Sequence, residues 1–233
     1  MQMFSGQVID PLHTAWVVDW VRWVVDRAHA QGVAVAANIG ITAIEAYMLD
    51  PVVRQAIIDL GDAVDLFLDE AGATAARAIN ITDGAWRAKF DLIRALPEDK
   101  AYVSINQMTE RKLVDASDAQ IDWAIANFLL VRNSASMFTL CGLQEYAVLI
   151  EHPKLEIEVG TAIGAPEEQS SGAWVRRYRR GFVAVNPSST ASVTVTLPAG
   201  DWHTFDGTIL SGSVTLTPMT GLTLTRGTQV PRR

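Results

Sequence analysis

Apolar positions along the first two-thirds of the chain alternate between two periods. From Pro11 to Gln31 the apolar and aromatic residues Ala15, Trp16, Trp20, Trp23 and Val24 recur at helical spacing. Gly32 follows, in the position where glycine ends helices. Val33-Ala-Val-Ala-Ala-Asn38 then reads as a short, continuously apolar strand of the kind found in parallel sheets. The same order recurs three times. A helix over about Asp50 to Leu60 precedes the strand Ala63-Val-Asp-Leu-Phe-Leu68, one near Asp83 to Leu96 precedes Ala101-Tyr-Val-Ser-Ile-Asn106, and one from about Ser117 to Val131 precedes Ala135-Ser-Met-Phe-Thr-Leu140. Four successive helix-then-strand units imply a parallel sheet with right-handed crossovers. Periodicity leaves an open doubly wound sheet and a barrel equally available. Trp16, Trp20 and Trp23 lie near one helical stripe, the pattern of a core or an interface.

Near residue 165 the pattern changes to Thr, Val, Ser and Gly with period-2 alternation. Trp174-Val-Arg-Arg-Tyr178, Gly181-Phe-Val-Ala-Val185, Ser192-Val-Thr-Val-Thr-Leu197, Val214-Thr-Leu216 and Leu222-Thr-Leu224 are separated by turn signals such as Asn186-Pro-Ser and Asp206-Gly207. These strands predict a compact antiparallel β-sandwich. The expected domains are therefore 1–165 and 166–233, with a boundary around Pro166 to Gly172.

Composition narrows the function classes. The 233 residues are 49% apolar and 19% charged, ordinary for a globular protein with room for one or two cores. The net charge of −7 argues against a nucleic-acid partner. The one basic cluster, Arg176, Arg177, Arg179 and Arg180, reads as a solvated strand face. A single cysteine, Cys141, excludes an intramolecular disulfide and a Cys-based zinc site. The histidines (His13, His29, His152, His203) lack metal-ligand spacing, so no metal or other cofactor is expected. No glycine-rich phosphate loop follows a strand, and no Gly-x-Ser-x-Gly elbow exists. The opening residues lack a secretion signal, and apolar runs fall short of the roughly 18 residues of a membrane span. A soluble protein, without membrane insertion, is the expectation.

Specific residues also resemble a family. Gly160-Thr-Ala-Ile-Gly164, Trp174 to Tyr178, Gly181-Phe-Val-Ala-Val-Asn-Pro-Ser188 and the closing Leu216 to Leu224 region are similar to the post-barrel sandwich of TIM-barrel glycoside hydrolases. Ala124 to Val131 and Tyr146 to Pro153 look like the last helix and exit segment of such barrels. Val64-Asp-Leu-Phe-Leu-Asp-Glu70 looks like a strand bearing an acidic catalytic residue at its C-terminal end. The resemblance implies an α/β fold: a partial (β/α)8 TIM barrel made of the four C-terminal βα units, followed by the small antiparallel sandwich. Only four of the eight strands of such a barrel are counted, and Val8-Ile-Asp-Pro-Leu-His13 resembles the end of the fourth. Unpaired edges predict a partner that completes the barrel, either a second copy or another chain.

Glycoside hydrolysis generally uses two carboxyl groups across the scissile bond, and in these barrels they sit at strand C-termini. The resemblance favours Glu70 as acid/base or nucleophile, with Asp69 orienting or capping; both could equally cap the next helix or satisfy loop amides. Successive strand residues point to opposite faces, so one of the pair is expected to face the pocket. Asp10 could supply the second carboxylate or simply start a helix. Asn38, Ser104, Asn106, Gln107 and Tyr146 are the candidate sugar-binding residues; strand termination and packing are their alternatives. The implied function is a glycoside-hydrolase-like protein acting on or binding a polysaccharide. Its alternative is a non-catalytic structural or carbohydrate-binding component of an assembly such as a bacteriophage tail; the Ala- and Arg-rich, Lys-poor usage points to a GC-rich source.

Overall fold

A computed structural model describes residues 11–39, 45–75, 79–145 and 151–227. The fold is mixed α/β, with one parallel sheet and separate antiparallel sheets. By chain contacts it divides into two compact units: residues 1–71, 87–105 and 132–138 form the first, and 72–86, 106–131 and 139–233 the second.

In the first unit, α1 (Pro11–His29) leads into β1 (Ala36–Asn38), and α2 (Glu45–Leu49) and α3 (Pro51–Ala63) lead into β2 (Leu66–Asp69). The carboxylate of Asp50 caps α3 by accepting from the amides of Val52 and Val53, and Pro51 fills the first helical position. Gly32, at φ 72°, lets the chain turn after α1, its amide bonding the His29 carbonyl. Helix α4 (Asp83–Arg94) precedes β5 (Ala101–Thr109), and β6 (Met137–Gly142) completes the four-stranded sheet of order β1-β2-β5-β6. β1 with β2, and β2 with β5, run parallel. Asp65 fastens their starting ends: its Oδ2 accepts the Val35 amide at 2.7 Å and meets His29 Nε2 at 2.8 Å.

The second unit contains a two-residue hairpin, β3 (Thr74–Ala75) with β4 (Ile79–Asn80), and the apolar helix α5 (Asp118–Val131). Beyond them β7 (Ala162–Glu168), β8 (Trp174–Tyr178), β9 (Gly181–Asn186), β11 (Trp202–His203), β12 (Ile209–Leu210) and β14 (Thr220–Thr225) form a six-stranded sheet of order β12-β11-β14-β9-β8-β7. β10 (Val193–Thr196) and β13 (Ser213–Leu216) form a second antiparallel pair. Val175, Phe182, Ala184, Val193, Val195, Leu216 and Leu224 from both sheets share one buried core. The stretch expected as a boundary contains the last three residues of β7, Pro166 to Glu168.

The other face of the large sheet packs on α5, which is buried from Trp123 through Leu130. That contact corrects the reading of the basic cluster. Arg177, Arg179 and Arg180 are exposed, but Arg176 donates to the carbonyls of Leu129 and Leu130, and the Tyr178 hydroxyl also bonds Leu129. These bonds satisfy carbonyls in the last turn of α5 that have no intrahelical partner. A side chain at Gly221 would meet the Asp122 carbonyl at 2.5 Å and Trp123 Cα at 2.8 Å, so only glycine lets β14 approach α5 this closely.

The tryptophan stripe of α1 is a second correction as far as this chain's own core is concerned. Val18 and Val25 are buried on the opposite side of the helix, and Trp16, Trp20 and Trp23 are 69%, 63% and 53% exposed. No helix among the described residues is long and apolar enough to cross a membrane.

Gly221→Ala is expected to lower unfolding free energy by about 1–3 kcal/mol through overpacking. Gly227→Ala, with open space around it, is the control expected to change little. Urea titration of both variants checks this.

Candidate functional site

The site is built on β2, whose residues alternate between two environments. Phe67 faces the helices, since a side chain at Gly61 of α3 would meet its ring at 3.1 Å. Asp69, two residues on, lies on the same face and is wholly buried. Lys89 of α4 approaches its two carboxylate oxygens at 2.9 and 3.1 Å, the Tyr102 hydroxyl donates at 2.9 Å, and the Ala71 amide donates at 3.1 Å. Burial pushes the Lys89 ammonium down from its ordinary range, against the pull of the Asp69 charge. Burial, reinforced by the same charge, pushes the Tyr102 hydroxyl well up. Asp69 is thus enclosed in a fully partnered polar knot beneath the helix layer.

Glu70 is the next residue, in the bend that follows β2. It is half-buried and makes no hydrogen bond or ion pair with the described residues. Asn38 lies beside it at the end of the neighbouring parallel strand: it is in register with Leu68, it is exposed, and its side chain is likewise unbonded. Glu70 and Asn38 therefore both stand at the C-terminal edge of the sheet, at the ends of neighbouring parallel strands.

Register places two of the expected site residues, Ser104 and Asn106, in the interior. Ser104 is paired with Asp69 and shares the face of Tyr102, with whose hydroxyl it hydrogen-bonds. It is buried toward the helices instead of lining an open mouth. Asn106, also wholly buried, accepts the Ala73 amide at 2.8 Å, and a side chain at Gly72 would collide with it at 2.2 Å. Its role is to hold the loop that follows Glu70. Trp123 fastens the same loop by donating to the Ala73 carbonyl at 3.0 Å. Gln107 has the opposite parity on β5 and is half-buried. Tyr146 and Asp10 lie outside the described residues. Sequence reasoning missed Lys89 and Tyr102; the signal available was the parity that Tyr102 shares with Ser104, and a lone lysine inside an otherwise apolar helix face.

Among the described residues no cluster of three or more His, Cys, Asp or Glu side chains is placed to hold a metal ion. Lys89→Met should strand the Asp69 carboxylate without its counter-ion and cost about 3–5 kcal/mol. Asp69→Asn added to it should recover part of the loss, because Tyr102 can still be bonded; chemical denaturation of single and double variants measures both.

No protein-family model matches the chain, and no curated protein does. Two solved structures are similar in chain trace. A maltogenic α-amylase from Thermotoga neapolitana aligns at a TM-score of 0.45 and 12% identity over 95% of this chain and 59% of its own. A pullulanase from Bacillus acidopullulyticus aligns at 0.34 and 11%, over 93% of this chain and 40% of its own. The chain thus spans less than two-thirds of the length of either neighbour.

Proposed function

We propose that this chain is a glycoside-hydrolase-like protein that acts on a polysaccharide at the C-terminal edge of its parallel sheet, with Glu70 as acid/base or nucleophile and Asn38 as a sugar-binding group. The observation that carries this reading is the contrast between neighbours: Asp69 is consumed by Lys89, Tyr102 and a backbone amide, whereas Glu70 is half-buried and unpartnered among the described residues. Half-burial without a counter-ion is the setting in which a carboxyl group serves proton transfer. Asp69 is the positioning residue, fixing the strand end from which Glu70 projects. The half barrel expected from the sequence is part of this proposal.

A second copy of the chain is the proposed partner. The face of the sheet opposite the helices is only partly covered: Ala36 and Asn38 are exposed, and Leu66, Leu68, Val103 and Ile105 are half-exposed. A parallel sheet with one face open leaves apolar surface that a partner can bury. The tryptophan stripe of α1, with Leu12, offers on the order of 500 Å² of apolar surface. Doubled by a two-fold axis, that reaches the roughly 1,000 Å² at which specific interfaces begin. The stripe lacks the lysine- and arginine-rich border of membrane-surface helices, since Asp19 and Asp26 accompany Arg22 and Arg27.

Light scattering should give twice the chain mass, falling to the single mass in Trp16→Ala/Trp20→Ala. A monomeric parent protein overturns the dimer. Reducing-sugar release from a panel of α- and β-glucans should fall at least about a thousandfold in Glu70→Gln, as expected when a group acts only in the transition state. Polysaccharide binding without turnover, unchanged in Glu70→Gln, would instead mark a carbohydrate-binding scaffold.

A further inference from the structure

In the second unit a cleft of about 510 Å³ opens between α5, the segment around His152, the turn joining β11 to β12, and β14. Its volume lies in the range of sites that enclose a small ligand. Lys154 stands in it, with Nζ 2.8 and 2.9 Å from the two oxygens of Asp122 and 3.6 Å from Asp118. Three carboxylates (Asp118, Asp122, Asp206) thus face one ammonium. Burial holds His152 below its ordinary value, and its Nδ1 accepts the Lys154 amide at 3.2 Å. That bond leaves the ring proton on Nε2, as a donor.

Phe205 supplies an apolar wall and sits on a braced turn. The Thr204 amide bonds the Thr208 carbonyl at 2.9 Å, the Gly207 amide bonds the Thr204 carbonyl at 3.0 Å, and Asp206 accepts from the Thr208 amide and the Thr204 hydroxyl. Gly207 takes the left-handed φ of 87° that this turn needs. The ring is therefore presented on a fixed backbone, which lowers the ordering cost of binding. On β14 the Thr223 hydroxyl is buried with no hydrogen-bond partner among the described residues, and Thr223 lines the same cleft.

The geometry points to a binding site for a neutral sugar residue in this cleft, with Phe205 as the stacking face and Asp118, His152 and Lys154 as the hydrogen-bonding groups. Sugar hydroxyls both donate and accept, and the cleft offers carboxylate acceptors and nitrogen donors around an apolar wall. The excess of carboxylates disfavours acidic sugars and phosphates. A structural role accounts for the Lys154 ion pair, which staples its segment to α5, but not for the aromatic ring that the braced turn holds at the cleft wall. This inference stands on the cleft's own chemistry and does not rest on Glu70.

The test is saturation-transfer NMR and calorimetry of the full chain with maltose, cellobiose and glucuronate. At least one of the two neutral disaccharides should bind and shift the amide resonances of Thr204, Thr208 and Thr223. Phe205→Ala should weaken that binding about tenfold and Phe205→Tyr should retain it. Glu70→Gln should leave it unchanged. Absence of binding by both disaccharides overturns the site, as does glucuronate binding equal to theirs. Binding lost in Glu70→Gln but kept in Phe205→Ala also overturns it, while supporting sugar recognition at the parallel sheet. Binding here with no hydrolysis anywhere would keep this site and remove the proposed catalysis.

Discussion

A parallel sheet exposes two apolar faces to water, and folding must cover both. On the side of α3 and α4 the cover is complete: Phe67, Asp69, Tyr102 and Ser104 are all buried there. On the other side Ala36 and Asn38 are exposed and Leu66, Leu68, Val103 and Ile105 are half-exposed. The asymmetry decides the chemistry of the strand ends. A polar residue on the covered face must find partners inside the protein, because each unsatisfied buried group costs on the order of 1–3 kcal/mol. Asp69 has done so through Lys89 and Tyr102. A polar residue on the other face meets no such demand and keeps its hydrogen-bonding capacity for something else.

The second unit solves the same covering problem differently. Strand β9 is buried at every position, because its two faces meet different layers. Phe182 and Ala184 enter the core shared with β10 and β13, while the opposite face meets α5. That explains why α5 is apolar on all sides and ends on side-chain donors from β8. Asn186 closes the strand from within the core: its amide nitrogen donates toward the carbonyls of Ala191, Leu216 and Thr217 at 2.8–3.1 Å, and its oxygen accepts the Ser188 amide at 3.1 Å. One residue thereby fixes the turn after β9 and the segment after β13.

Period and punctuation made most elements legible. The four large helices and the strands that follow them start and end within a few residues of the positions expected from apolar spacing, Gly32 and Pro51. Strand β7 escaped because it is an edge strand carrying Gly164, Pro166, Glu167 and Glu168, and an edge tolerates a proline that removes a ladder donor. α1 shows the limit of periodicity from the other direction. Its tryptophans define a face, but spacing alone cannot say whether that face meets the core or the outside. At the site, alternation along β2 groups Asp69 with Phe67, yet which face meets the helices depends on register and crossover. The same uncertainty of side moved Ser104 into the protein, because Tyr102 and Ser104 follow Asp69 across the ladder.

The neighbouring carboxylates also explain each other. Fixing a strand end in a parallel sheet needs more than ladder bonds, which stop where β2 stops. Lys89, Tyr102 and the Ala71 amide hold Asp69 from three directions, and Asn106 and Trp123 hold the loop just beyond. The backbone of Glu70 is therefore constrained on both sides while its side chain is not. A carboxyl group on a fixed backbone, spared from structural bonding, loses little freedom on meeting a substrate and needs little reorganisation to act on it. The buried ion pair at Asp69 is what gives the proposed role of Glu70 a fixed backbone to act from.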